Sequence, residues 1–287
     1  MTRPSPAPAS TRLSRLIDAA AAVLAEAGVA TPRVDAELLA AHVLGTERAR
    51  LRFVEATPEF AERYDKLITR RAQRIPLQHL VGTAPFGPLE VIVGPGVFIP
   101  RPETEALLEW AVAQRLPDAP VIVDLCTGSG ALAAAMARHR PDARIIAVDD
   151  SEEALGYARR NLAGSAVEVV HADVTTPGLL PELDGAVDLV VANPPYIPDG
   201  AQLEPEVAEH DPAHALFGGP DGMRVIEAIT DVAARWLRTG GLLAVEHDDT
   251  TSHRTVECFG RSTHFDDITA RRDLTGRPRF VTARRSV

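Results

Sequence analysis

No stretch of this sequence carries the roughly 18 to 20 consecutive apolar residues that a membrane-spanning helix needs, and the opening "MTRPSPAPAS" has no apolar segment of the kind that makes a secretory signal. The chain therefore reads as soluble and cytoplasmic, without a membrane partner. Cysteine is scarce. Cys126 and Cys258 are the only two, and they lack the paired spacing of a disulfide framework or a metal site, so both are expected as free thiols and no metal is expected. No internal repeat is evident. Positive charge is short as well: the net charge is -10, with 12 Lys and Arg against 9 Asp and Glu in residues 1–85, 12 against 30 in residues 86–270, and 6 against 1 from residue 271 onward. So acidic a centre opposes broad electrostatic binding to nucleic acid. An anionic partner such as RNA would meet the basic "ERARLR" and "TRRAQR" stretches, which read equally well as solvated helix faces.

What is present divides into two patterns. With 287 residues and 45 % hydrophobic content, the chain can bury one large core and a smaller one. After a Pro- and Ser-rich tail, residues 11–27 carry apolar positions at three- and four-residue spacing, stopped by Gly28, which predicts an amphipathic helix. A second helix should start with Thr31 as N-cap and Pro32 in the first turn and end at Gly45; a third should repeat the Thr-Pro start at Thr57 and Pro58. Residues 1–78 thus form a small helical domain. "LQHLVGTAPFGPLEVIVGPG" reads as a β-hairpin within a linker spanning residues 79–102. From residue 103 to 287, helical and strand patterns alternate ("ETEALLEWAVAQRL", "PVIVDLC", "ALAAAMARHR", "ARIIAVD", "SEEALGYARRNLA", "AVEVVHAD", "VDLVVAN", "GMRVIEAITDVAARWL", "GGLLAVEH"). The final "HFDDITARRDLTGRPRFVTARR" reads as an antiparallel hairpin. The expected fold is α/β: a Rossmann-like, mostly parallel sheet of seven strands, covered on both faces and closed by that hairpin.

Ligands of such sheets bind at the carboxyl ends of the strands, near the point where strand order reverses. Four strand ends carry candidate residues. "VDLCTGSGA" supplies Asp124, Cys126, Thr127, Gly128, Ser129 and Gly130, with glycines that admit close approach of a ligand before a helix N-terminus. Asp149 in "AVDD" follows about 20 residues later, the spacing at which a carboxylate accepts ribose hydroxyls. Asp173 and Val174 in "HADV" are placed to meet an adenine. Singly each is weak, since a Gly-x-Gly turn can be plain loop geometry and either acid could cap a helix. In order, each at a strand end, they fit an adenosine-containing cofactor. A nicotinamide dinucleotide normally wants a third glycine where Ala133 stands, whereas S-adenosylmethionine, lacking a pyrophosphate, does not.

The fourth strand end, "ANPPY", bears on the chemistry. Asn193 can direct its side-chain oxygen at one N–H of a planar amino or amide group while the Pro194 carbonyl accepts the other; Pro195 offers no competing donor, and Tyr196 supplies a flat wall. Asn193, Pro194 and Tyr196 are therefore the candidate catalytic residues, acting by orientation.

"DLCTGSGA", "AVDDSEEAL" and "NPPY" resemble the Rossmann-type methyltransferases that alkylate planar nitrogens. "FIPRPETE" (98–105), "NPPYIP" (193–198), "EHDPAHALFGGPDGM" (209–223) and "RRDLTGRPRF" (271–280) are similar, more specifically, to the HemK/PrmC protein-glutamine N5-methyltransferases, and the resemblance covers nearly the whole chain. It implies that S-adenosylmethionine is the cofactor and that the substrate is the glutamine of the Gly-Gly-Gln loop of peptide chain release factors. The helical domain would dock that protein, with no direct nucleic acid required and with ribosome proximity left open. It implies that residues 126–130 wrap the methionine part of the cofactor, that Asp149 holds the ribose, and that Asp173 and Val174 flank the adenine. Asn193, Pro194, Pro195 and Tyr196 would grip the glutamine, facing a wall of Phe98, Pro100 and Arg101; Arg101 also reads as a surface ion-pair partner. Many members have glycine where this chain has Cys126, which is expected as a packed loop residue rather than a nucleophile. His247 could orient a cofactor group, or be a satisfied half-buried histidine. Two other readings compete: a nucleic-acid adenine N6-methyltransferase, and a ribosome- or RNA-associated binding protein without catalysis.

Overall fold

Leu13, Ile17, Ala20 and Leu24 recur every three or four residues along helix α1 (Ala9–Glu26), which puts them on one buried stripe. The computed structural model describes residues 9–286, so most of the Pro- and Ser-rich tail lies outside the described residues. The stripe of α1 meets Leu39 of α2 (Pro32–Leu44) and Phe60, Tyr64 and Ile68 of α3 (Phe60–Ala72) in one small core. Phe60 and Tyr64 stack at 4.9 Å, and the Tyr64 hydroxyl donates to the Ala36 carbonyl. Gly45 ends α2 with φ 61°. Thr31 precedes α2 without capping it: its hydroxyl donates instead to the Asp35 carboxylate. The third helix starts at Phe60 rather than at Thr57-Pro58, because the Phe60 N–H closes a tight turn on the Thr57 carbonyl before the helical ladder begins. A short helix, α4 (Leu77–Val81), occupies what the sequence suggested as the first arm of the hairpin.

The residues up to Gly82 form one compact unit together with Glu204–His210, and the rest of the chain forms the other. Within the first unit Arg71 is buried, bonded to Asp35 at 2.7 Å and to Glu206 at 2.9 Å, and Arg74 reaches Glu206 at 3.0 Å. Two arginines of "TRRAQR" are thus engaged in internal ion pairs, Arg71 buried and Arg74 half-buried.

The second unit opens with the hairpin β1 (Thr83–Phe86) and β2 (Leu89–Ile92). Asn161 binds this hairpin to the sheet: its carboxamide takes the Ile92 N–H and donates to the carbonyls of Ile92 and Ser129. The sheet strands are β3 (Val121–Leu125), β4 (Arg144–Asp149), β5 (Glu168–His171), β6 (Val187–Ala192), β7 (Leu237–Glu246), β8 (Phe265–Arg272) and β9 (Pro278–Arg285), in spatial order β5-β4-β3-β6-β7-β9-β8. Pairs from β5 to β7 are parallel, and β9 is antiparallel to both neighbours. The seven strands and closing hairpin are those expected. Side chains alternate between two cores: Ile122, Ala147, Leu189 and Ala244 face one, with α5 (Glu105–Val112), α6 (Ala131–His139) and α7 (Glu152–Asn161), while Val123, Val148, Val190 and Leu243 face the other, with α9 (Arg224–Trp236). Helix α8 (Pro205–His210) belongs to the first unit. Helix α10 (Ser252–Arg261), for which the sequence reading had no element, buries Thr255, Cys258 and Phe259. No helix among the described residues is long and apolar enough to cross a membrane.

Candidate active site

Chain order runs outward from β3 through β4 to β5 on one side, then restarts beside β3 with β6 on the other, so strand order reverses between β3 and β6. Crevices outside the strand ends at such a reversal are the binding sites of open α/β sheets. Leu125 pairs with Ala192 across that junction, so Cys126 and Asn193 leave the sheet side by side. Ala192 also pairs with Val245, and Glu246 with Phe280, which brings Glu246 and Arg279 level with the same turn.

The loop after β3 is built by its own neighbours. Asp124 is fully buried beneath it, accepting from the Thr127 hydroxyl at 2.5 Å and the Ala133 N–H at 3.1 Å. Burial pushes this carboxyl up to about 7, against the pull of those two donors. Asp149 accepts from the Gly128 N–H at 2.8 Å on one oxygen and from the Ser151 N–H on the other; burial raises its pKa, and the two N–H groups oppose the rise. Cys126 has φ 57°, a left-handed conformation in which a β-carbon is strained. Burial drives its thiol pKa well above the ordinary value, so it is poorly suited to act as a nucleophile. Cys126 and Cys258 are both free thiols.

The turn after β6 is held from far along the chain. The Asn193 amide nitrogen donates to the Thr104 hydroxyl at 3.1 Å, and the Tyr196 hydroxyl donates to Glu246 at 3.0 Å. Burial raises the Tyr196 phenol well above its ordinary pKa, which keeps it a donor, and lifts Glu246 to about 7 against the nearby Thr104 and Tyr196 hydroxyls and the Arg279 charge. The backbone beyond the turn lies against "FGGPDG": Ile197 exchanges hydrogen bonds with Leu216 and Gly218. Gly222, at φ 78°, passes so close that an added β-carbon would stand 2.2 Å from the Tyr196 carbonyl oxygen, and one on Gly218 would stand 2.5 Å from that of Pro195. Only glycine allows both approaches.

These parts line one cavity of about 430 Å³, which holds Cys126, Thr127, Gly128, Ser129, Asp149, Asp173, Val174, Asn193, Pro194, Pro195, Tyr196, Phe98 and Pro100 on a single wall system. Three candidates stand off it. Asp124 lies underneath the loop, Gly130 lies behind it, and Arg101 pairs with Asp211 while its guanidinium sits 5.0 Å over the Phe98 ring. Sequence reasoning did not single out Thr104 or Glu246. Thr104 lay inside the quoted "FIPRPETE", and Glu246 closes a strand immediately before the candidate His247. The structure buries His247 away from the cavity, its ring nitrogen 2.8 Å from the Asp248 carbonyl. Among the described residues no group of three or more His, Cys, Asp or Glu is arranged to hold a metal.

The cavity fits S-adenosylmethionine: Asp149 and Asp173 are acceptors for hydroxyl and amino groups, Val148, Ala172 and Val174 are apolar walls, and nothing lies within 4 Å of where a β-carbon would stand on Gly128. Fold and site together define the class, a Rossmann-like methyltransferase that uses S-adenosylmethionine. Comparison narrows it. Residues 15–82 match the family model of the PrmC N-terminal domain and residues 90–215 that of the methyltransferase small domain. A release factor glutamine methyltransferase of Mycolicibacterium smegmatis is 71 % identical over 96 % of this chain and 98 % of its own length, and one of Mycobacterium tuberculosis is 65 % identical over 95 % and 91 %. A methyltransferase structure from Pyrococcus furiosus shares the fold, with a TM-score of 0.53 at 19 % identity over 76 % of this chain and 100 % of that one. The chain belongs to the release factor glutamine methyltransferases, the HemK/PrmC family.

Proposed function

We propose that this chain transfers the methyl group of S-adenosylmethionine to the side-chain amide nitrogen (N5) of the glutamine in the Gly-Gly-Gln loop of peptide chain release factors. The observation that carries this reading is the side-by-side exit of the Cys126–Gly130 loop and the Asn193–Tyr196 turn at the β3/β6 reversal. When bound, S-adenosylmethionine supplies an electrophilic methyl group. Loop residues Cys126 to Ser129 would hold its methionine part, Asp149 its ribose, and Asp173 and Val174 its adenine. Asn193 Oδ1 and the Pro194 carbonyl would accept the two N–H groups of the glutamine carboxamide. An amide nitrogen is a weak nucleophile, and fixing both its hydrogens holds its lone pair in one direction while Tyr196, Pro195, Phe98 and Pro100 confine the plane and exclude water. Arg101 would brace Phe98 from outside the cavity rather than touch the glutamine.

The first helical unit would dock the release factor, the place of action is inferred to be the cytoplasm, and no nucleic acid is required for binding. The balance of 12 basic against 30 acidic residues over 86–270 supports the last point, because a base-flipping enzyme must also track phosphates. Purified protein with labelled S-adenosylmethionine tests the reading against release factor, release factor with the loop glutamine replaced, and DNA. Label is expected on the first alone; label on DNA and none on release factor overturns the assignment.

A further inference from the structure

Glu153, Tyr157 and Asn161 recur at four-residue spacing along α7 and so share one face of that helix. The chain from Ile92 to Gly96 runs over this face. The Tyr157 hydroxyl donates to the Pro95 carbonyl at 3.1 Å. A β-carbon on Gly94 would run into the Tyr157 hydroxyl, and one on Gly96 into the Glu153 carboxylate, so the strap lies directly on the helix. Beyond Gly96 it continues into Phe98 and Pro100, the cavity wall that faces the Asn193–Tyr196 turn in the reading above. The same helix borders the cofactor side: Ala154 lines the cavity, and Ser151, which accepts the Ala154 N–H at the start of α7, donates its own N–H to Asp149.

Asn161 joins the two sides. Its Oδ1 accepts the Ile92 N–H at 2.7 Å, and its amide nitrogen donates to the carbonyls of Ile92 and Ser129, each at 2.9 Å. One donor and two acceptors surround it, and a single orientation of the carboxamide satisfies all three. We propose that Asn161 is a positioning residue: it sets the separation between the cofactor loop and the Phe98–Pro100 wall, so that methyl donor and glutamine are held in register by one helix. Aspartate at this position keeps an oxygen for the Ile92 N–H but turns oxygen toward the Ser129 and Ile92 carbonyls, which releases the loop from the strap.

The chain contains only two asparagines, Asn161 and Asn193, so ¹⁵N-asparagine labelling yields two side-chain NH₂ pairs, and the pair that survives in Asn193→Ala is that of Asn161. In wild-type protein titrated with S-adenosylhomocysteine the Asn161 pair is expected to shift and to saturate at the calorimetric Kd. In Asn161→Asp, the Kd for S-adenosylhomocysteine should rise about 10-fold, the scale of a lost hydrogen bond that leaves its partner unsatisfied. The kinetic arm rests on the methyl-transfer reading. With saturating S-adenosylmethionine, kcat on release factor should still fall about 10-fold in Asn161→Asp, because the wall has lost its register with the loop. Tyr157→Phe loosens the strap alone and should lower kcat about 3-fold while the cofactor Kd stays within about 2-fold. Both changes act on one strap, so the double variant should lose less than the product of the single losses. Wild-type protein inactive on release factor would remove the functional reading and leave the titrations to test the link between Asn161 and the loop. An Asn161 pair unmoved by saturating S-adenosylhomocysteine, an unchanged cofactor Kd or an unchanged kcat in Asn161→Asp, or a double variant at the full product overturns the proposal.

Discussion

The loop Cys126–Gly130 and the turn Asn193–Tyr196 leave neighbouring strands side by side, yet they are held in different ways. The loop is secured within its own stretch of chain: Thr127 bonds Asp124 three residues back, the Gly130 N–H bonds the Thr127 carbonyl, and Ala133 returns to Asp124. Its more distant brackets are Asp149, 21 residues from Gly128, and Asn161, 32 residues from Ser129. The turn contains two prolines and has almost no local hydrogen bonding of its own. Thr104 holds it from 89 residues before, Glu246 from 50 residues after, and Gly218 and Gly222 press on its backbone. The loop's contacts come from within 32 residues, whereas the turn's side-chain contacts come from 50 and 89 residues away. The part that would hold the cofactor is braced mainly from nearby in the chain, and the part that would aim a weak nucleophile is braced from several distant elements.

That contrast can be broken most sharply at the turn. Asn193→Ala should lower turnover by about 10² to 10³, the scale of losing one pre-aligned hydrogen-bond partner at a reacting centre. Cofactor affinity, set by the loop, should change little. Equal loss in single-turnover methylation and in cofactor titration would remove Asn193 from the substrate grip. Gly222→Ala comes next. A β-carbon 2.2 Å from the Tyr196 carbonyl, on a backbone at φ 78°, should cost about 2 to 4 kcal/mol in urea unfolding and displace the turn. A variant as stable as the parent would show that the glycine contact does not brace the turn.

The loop offers a pH test. Burial lifts Asp124 from an ordinary 3.8 to about 7, so between those values the folded form holds a proton that the unfolded chain has lost. Its contribution to stability is full below the lower value and is lost as pH rises through the upper one, at about 1.4 kcal/mol per pH unit. Asp124→Asn has no such titration. The stability of the parent relative to this variant should therefore fall by about 2 kcal/mol from pH 5 to pH 7, read from urea midpoints; a difference that stays flat with pH would place the Asp124 pKa outside that window. The smallest effect concerns Cys126. Since its φ is 57°, Cys126→Gly should be more stable than Cys126→Ala by about 1 kcal/mol, both having lost the thiol. Equal stability would mean that the left-handed backbone there carries no strain.

The same division decides what could be read in advance. Asp124, Gly128, Asp149 and the Asn-Pro-Pro-Tyr turn stand at strand ends, and runs such as "VIVDL" and "VDLVVA" announce their strands by continuous apolar residues. The start of α3 was misplaced because a Thr-Pro-Glu stretch serves a tight turn as well as a helix start. Helix α10 was passed over because its buried face is carried by only Thr255, Cys258 and Phe259 among polar neighbours. Helix α8 has no buried residue at all, and what fixes it is the ion pair of Glu206 with Arg71 and Arg74, some 130 residues away in the chain.

The amino-acid sequence by itself determined the alternation of strands and helices, the glycine loop and its acids, and the residues that form the turn, because periodicity, capping and turn chemistry act over a few residues. The tertiary structure alone decided that β3 and β6 lie side by side, that Asp124 works from beneath the loop and Arg101 from outside the cavity. It alone decided that Thr104 and Glu246 meet at Asn193 and Tyr196. Strand order and cross-strand register bring together groups 50 to 89 residues apart, and a hydrogen bond is made by distance in space, not by spacing along the chain.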